Sequence, residues 1–224
     1  MGIENGANNR EGIECLGTVD WHNAWSDFEE IVEKQFRHGG DKYAFDEDSE
    51  WTDVLTGMSP SFLPSTVSKY CGRLKVFGRE RDLIKVFTYA FIGYLQDGCH
   101  NEAEFAPTKL YATTVEIKNK YFGKFMAEVK DWIKSSSIVV VGHHNYNALD
   151  IMAKFDCLYN ISVMQHVSMD IAQARNEGQR SNRVLWHAMA AHSFIEWFQK
   201  GFHLSEEHDE DTSVEKVEVE NYGE

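Results

Sequence analysis

Proline is scarce in this chain. Its three prolines, Pro60, Pro64 and Pro107, all stand near the edges of periodic segments in a sequence of 224 residues. Since proline removes a helix donor and clashes with the preceding turn, its scarcity leaves most of the chain free to form helices. Long apolar runs are missing as well: no stretch reaches 18 residues, and Met1 to Arg10 is polar. This predicts neither a membrane span nor a signal peptide. The four cysteines, Cys15, Cys71, Cys99 and Cys157, are far apart, with no CxxC or CxH spacing. That argues against a zinc site and a disulfide framework and predicts a reducing, cytoplasmic setting. Walker A, GxGxxG, GxSxG and HExxH patterns are also absent, which removes P-loop, Rossmann, α/β-hydrolase and zinc-protease readings.

Positive charge is in deficit. Lys and Arg number 22 against 36 Asp and Glu, for a net charge of −14. Nine of those acids and one lysine fall between Ser205 and Glu224, so −8 belongs to the tail and −6 to the body. A tail so charged and so poor in apolar residues is predicted to be disordered, and it suits a basic protein partner. An acidic body disfavours tracking along nucleic-acid phosphates, which needs clustered Lys and Arg. It does not disfavour handling nucleotides through a carboxylate-held metal.

What is present is helical periodicity. Trp21, Trp25, Phe28, Ile31, Val32 and Phe36 form one face of a helix from Asp20 to about His38, which Gly39-Gly40 is expected to end. A short segment, Glu50 to Met58, follows. Ser59-Pro60 opens a second amphipathic helix bearing Phe62, Leu63, Val67, Tyr70, Cys71 and Leu74, and Gly78 stops it. Arg81 to Gln96 is apolar nearly all round and is predicted to be buried at the centre of the bundle. Further helices are expected over about 110–134, 147–176 and 181–200. Ile138 to Val141 is the one strongly β-like run, and as a lone strand it has no evident partner. The expected fold is all-α, a multi-helix bundle with a disordered acidic C-terminal tail. It divides into a flexible N-terminus (1–19), a helical core (20–100), a second helical layer or subdomain (101–203) and the tail (204–224).

Two patterns carry chemistry. Glu30-Ile31-Val32-Glu33 is followed, 16 residues on, by Glu50-Trp51-Thr52-Asp53. Residues three apart share a helix face, so each pair presents two carboxylates, and two such pairs are able to hold Mg²⁺. The pattern, extended by Val54-Leu55, resembles the ExxE…ExxD signature of the all-α MazG-like nucleoside triphosphate pyrophosphohydrolases. That resemblance, over about residues 20–95, implies Mg²⁺ bound by Glu30, Glu33, Glu50 and Asp53, with Glu33 and Glu50 as the catalytic acids, and hydrolysis to monophosphate and pyrophosphate.

The second pattern runs from Thr66 to Ile92. Ser68-Lys69-Tyr70-Cys71-Gly72-Arg73 and Asp82-Leu83-Ile84-Lys85-Val86-Phe87-Thr88-Tyr89 resemble a motif of small phage proteins of nucleotide metabolism, one branch of which is a deoxynucleoside monophosphate kinase family without a Walker loop. Another set of those proteins carries a Lys-Tyr before the first acidic segment, as Lys42-Tyr43 does here. The resemblance implies nucleotide contacts by Lys69, Arg73, Asp82 and Lys85, and host cytoplasm as the setting. Lys69, Arg73, Lys75, Arg79 and Arg81 supply a local cationic patch suited to phosphate oxygens. The histidines, among them His166 and His192 with acids four residues on, read as structural more readily than as ligands. The large soft side chains of the last helices read as core before interface, although a homo-oligomer is expected. The remaining alternative is a non-enzymatic acidic protein that presents its tail to a basic partner.

Overall fold

In a computed structural model of the chain, the described residues are 21–43, 51–101, 110–111, 113–134, 138–141, 144–147 and 157–204. The acidic tail, the N-terminal segment and Glu50 lie outside them. Seven helices account for nearly all of the described structure, so the fold is all-α: α1 (Trp21–Tyr43), α2 (Trp51–Met58), α3 (Phe62–Phe77), α4 (Glu80–Gln96), α5 (Val115–Lys134), α6 (Cys157–Asn176) and α7 (Arg183–Gln199). A hairpin of β1 (Ile138–Val141) and β2 (His144–Asn147) connects α5 to the second half, and a 3₁₀ turn, Phe202–Leu204, follows α7. Among the described residues no helix is long and apolar enough to cross a membrane.

Helix α4 is the axis of the molecule. It lies against α3, α1, α5 and most extensively α7, which is why its apolar residues are needed on every side. From Leu83 to Leu95 its large apolar side chains other than Tyr89 are buried, and α7 is buried continuously from Trp186 to Phe198. One hydrophobic cluster takes in Trp25, Phe28 and Val32 of α1, Val67 and Leu74 of α3, Phe125 and Val129 of α5, and Met164 and Val167 of α6. Aromatic edges fill its centre. Phe28 meets Phe87, Phe194 and Trp197 at centroid distances of 5.2, 5.3 and 5.2 Å, inside the range of favourable ring pairs.

Local chemistry sets several boundaries where the sequence places them. Gly78, at φ 62°, closes α3 by donating its N–H to Leu74 O at 2.9 Å, the left-handed cap that a residue with a Cβ enters only at a cost. Asn182 caps α7 by accepting the Val184 N–H at 3.0 Å.

Four expectations are corrected. Helix α1 continues through Gly39-Gly40 to Tyr43, since glycine inside a helix costs only about 1 kcal/mol and does not by itself end one. Helix α5 begins at Val115, not near Leu110. The Thr114 hydroxyl accepts the Ile117 N–H at 3.2 Å, and the Asp53 carboxylate holds the Thr113 N–H at 3.1 Å, so the chain is capped and tethered there instead of helical. The Ile138–Val141 run does not lack a partner: it pairs antiparallel with His144–Asn147, Ile138 opposite Asn147 and Val141 opposite His144. Asn147 therefore ends a strand and does not open a helix, and α6 is described from Cys157.

Candidate anion-binding site

Helices α3 and α4 run side by side, joined at Gly78-Arg79, and their facing rows gather the cations of the second sequence pattern. Tyr70 of α3 and Tyr89 of α4 stack with centroids 5.7 Å apart and planes 19° from parallel. Around the Tyr70 ring stand three cations: Lys85 Nζ at 5.2 Å, Lys69 Nζ at 5.8 Å and the Arg73 guanidinium at 5.9 Å from the centroid. A cation within about 6 Å of a ring face is held there by the ring quadrupole. One tyrosine thus orients three positive side chains from two helices.

Arg73 is steadied from below. Its Nε lies 3.2 Å from Asp82 Oδ1, with the Asp82 side chain fully buried and that of Arg73 one-third exposed. Asp82 also occupies the first turn of α4, where the helix dipole favours a negative charge. The pair is close to neutral, and Lys69 and Lys85 are the other cations of the cluster. Lys69 is exposed and Tyr89 is half-buried, so the cluster faces solvent at one edge and rests on the core at the other. A phosphoryl group has the charge and acceptor oxygens to match it.

The structure therefore brings Lys69, Arg73, Asp82 and Lys85 together. Two further members of the cationic patch are engaged elsewhere. Lys75 donates to Gln165 Oε1 of α6 at 2.7 Å, and Arg79 stacks on Phe77 at 4.8 Å. Tyr70 and Tyr89 are site residues that the sequence does not single out: by periodicity the first reads as core-facing and the second as part of an all-apolar helix. The signal was there, since Tyr70 adjoins Lys69 and Tyr89 stands four residues after Lys85.

The acidic quartet is placed differently. Glu30 is exposed. Glu33 is committed within its own helix to Arg37, whose Nη2 donates at 2.5 Å and Nε at 3.2 Å. Asp53 is a brace, since both its oxygens accept from the Thr113 hydroxyl, at 2.8 and 2.9 Å, and Oδ1 also accepts from Gln96 Nε2 at 2.8 Å. Glu50 lies outside the described residues. Among the described residues no group of three or more His, Cys, Asp or Glu is placed to hold a metal ion. Of the described members, Asp53 has both carboxylate oxygens engaged by protein donors, Glu33 has Oε1 engaged by Arg37, and Glu30 stays exposed.

The buried polar groups elsewhere are structural in arrangement. His192 and Glu196, four apart on α7, are both fully buried. Asn160 of α6 bridges them, with Oδ1 2.6 Å from His192 Nδ1 and Nδ2 donating to Glu196 Oε2 at 3.1 Å. Burial drives the His192 imidazole down to about 3. On the opposite side of α7, His187 Nε2 meets Glu128 Oε2 at 3.0 Å, and the Tyr94 hydroxyl donates to the same carboxylate at 3.2 Å. Burial alone pushes the Glu128 carboxyl up, but the His187 hydrogen bond and charge, aided by Arg183 and Tyr94, bring it below its ordinary value. No family model, curated protein or solved structure matches the chain.

Proposed function

We propose that this chain binds a phosphorylated nucleotide through Lys69, Arg73 and Lys85, arranged around the Tyr70–Tyr89 stack. A single observation carries this reading: three cations from two helices converge on one tyrosine in a body that is otherwise net negative. Cations gathered on one ring attract phosphate better than scattered surface lysines do, because less side-chain entropy remains to be lost on binding. The resemblance of this same segment to phage nucleotide enzymes points the chemistry toward phosphoryl transfer to a deoxynucleoside monophosphate. The pyrophosphohydrolase reading, with Mg²⁺ at Glu30, Glu33, Glu50 and Asp53, has less support, since Glu33 and Asp53 are engaged by Arg37, Thr113 and Gln96.

Calorimetric titration with inorganic tripolyphosphate and with ATP tests the site. Lys69→Ala with Lys85→Ala should weaken both at least tenfold, a loss of ~1.4 kcal/mol or more. Unchanged affinity in a folded double variant would overturn the proposal. Incubation with labelled ATP and a panel of deoxynucleoside monophosphates separates the reactions: labelled diphosphate marks transfer, and released pyrophosphate marks hydrolysis.

A further inference from the structure

A second concave feature lies beyond the C-terminal end of α4, built from residues that take no part in the cation cluster. It is a cleft of about 330 Å³ with the rings of His100, Tyr111 and Tyr121 in its walls and Asn101, Glu116 and Lys120 supplying polar groups. The rings come from three separate segments. His100 sits 4.6 Å from Tyr121 and 6.1 Å from Tyr111 by centroid, steeply inclined to both.

The wall is anchored by polar contacts more than by apolar burial. Tyr111 donates its N–H to Gln96 O at 2.6 Å. Its ring lies so close to Gly98 that a Cβ added there would stand 2.2 Å from Tyr111 Cε2. Gly98 also adopts φ 69°, so glycine is required both for the turn and for the ring's approach. Arg180 covers the Tyr111 ring at 4.5 Å while its Nη1 donates to Asp97 O at 3.0 Å. Two residues on, the buried Thr113 is clamped by Asp53, and Thr114 caps α5. Tyr111, Thr113 and Thr114, anchored in this way beside the ends of rigid helices, are held as the residues of binding loops are.

The chemistry of the lining is specific. An inclined ring pair offers a flat π-system one face to stack on and one edge to meet. The edge groups are of both kinds: a carboxylate acceptor in Glu116, an ammonium donor in Lys120, and an amide in Asn101 that does both. A purely apolar ligand leaves these groups unpaired, and a simple anion leaves the rings unused. A planar heterocycle with donors and acceptors on its edge satisfies both, and the volume falls within the range of small-molecule sites.

We propose that this cleft is a nucleobase site, taking a base with an exocyclic amino group that donates to Glu116 while its face stacks on the Tyr121 ring and its edge meets His100. The proposal goes beyond the phosphate reading and stands on different residues. Uncharged nucleosides test it alone, as tripolyphosphate tests the cation cluster alone. With the full chain, saturation-transfer NMR and calorimetry on cytidine, adenosine and uridine should give binding of the first two and weaker binding of uridine. Tyr121→Leu should lower affinity for cytidine at least tenfold. Glu116→Gln, a change at an exposed position that should leave the melting temperature unaltered, should erase the preference over uridine. No nucleoside binding to the wild-type chain would overturn the site. So would unchanged cytidine affinity in Tyr121→Leu, and equal affinity for cytidine and uridine would overturn the role of Glu116.

Discussion

Asp97 and Arg175, at the ends of two different helices, face each other at 3.1 Å with side chains 0% and 1% exposed. Asp97 is a hub. Its Oδ2 accepts from the Ser181 hydroxyl at 2.5 Å, the Ser181 N–H at 3.2 Å and Trp186 Nε1 at 2.8 Å. The C-terminus of α4, the end of α6 and the start of α7 are tied together at one carboxylate. Burial pulls the Arg175 guanidinium down from its usual range, and the charge and hydrogen bond of Asp97 oppose that pull.

Removing one partner strands the other in a dry interior. Asp97→Ala is therefore expected to cost about 3–5 kcal/mol, read from urea unfolding followed by circular dichroism. A loss below ~1 kcal/mol is what a solvated pair would give, and would contradict a buried hub.

His192 makes stability depend on pH well above the carboxylate range. Its folded-state value of about 3 lies far below the ~6.5 expected of the unfolded chain. Between those limits the unfolded state binds the extra proton, so stability is complete above pH ~6.5 and falls as pH drops. The expected slope is ~1.4 kcal/mol per pH unit. Urea midpoints at pH 7, 6 and 5 should descend in the wild type and flatten in His192→Gln. Parallel pH profiles would refute this assignment.

Glu128 acts at lower pH. Its value lies below the ordinary carboxylate value, so its contribution is present above the unfolded value of ~4.3 and is lost as pH falls through the folded one. Glu128→Gln should remove part of the acid limb below pH ~4.3 while leaving the His192 region unchanged, measured by the same midpoints. A change confined to neutral pH would count against the His187–Glu128 pair.

Gly93 lets Trp186 of α7 lie directly against the backbone of α4. A Cβ built on it would stand 2.2 Å from Trp186 Cη2. Gly93→Ala raises helix propensity by ~1 kcal/mol, yet overpacking should dominate and give a net loss of about 1–3 kcal/mol. A raised melting temperature would show that the indole has room to move.

Cys71 and Cys99 are buried, and burial pushes both thiols up to about 12. A thiol kept protonated reacts slowly with alkylating reagents. Peptide mapping after iodoacetamide treatment should find both unlabelled in the native chain and labelled in urea. Native labelling within minutes would mean that the surrounding core opens readily.

Much of the fold is legible in the sequence. The stripe from Trp21 to Phe36, the all-round apolarity of Leu83 to Leu95 and the break at Gly78 are local facts, written in periods and caps that one helix satisfies alone. The cation cluster was half legible: Lys69, Arg73, Asp82 and Lys85 stood out by type and spacing, but the tyrosine that gathers them did not. An aromatic residue at a helical period reads as core until its neighbours on the next helix are known.

Pairings across long separations were not legible. Nothing near Asp53 announced that its carboxylate would clamp Thr113. Nothing near Ile138 announced His144–Asn147 as its partner, and nothing near Asp97 announced Arg175. The sequence by itself determined the helices, because hydrophobic period, capping residues and the scarcity of proline act within a few residues of chain. Only the tertiary structure decided which carboxylates became braces, which cations met over one ring, and where rings converged into a cleft. Those outcomes depend on which buried donor reaches which acceptor when helices far apart in the chain pack together.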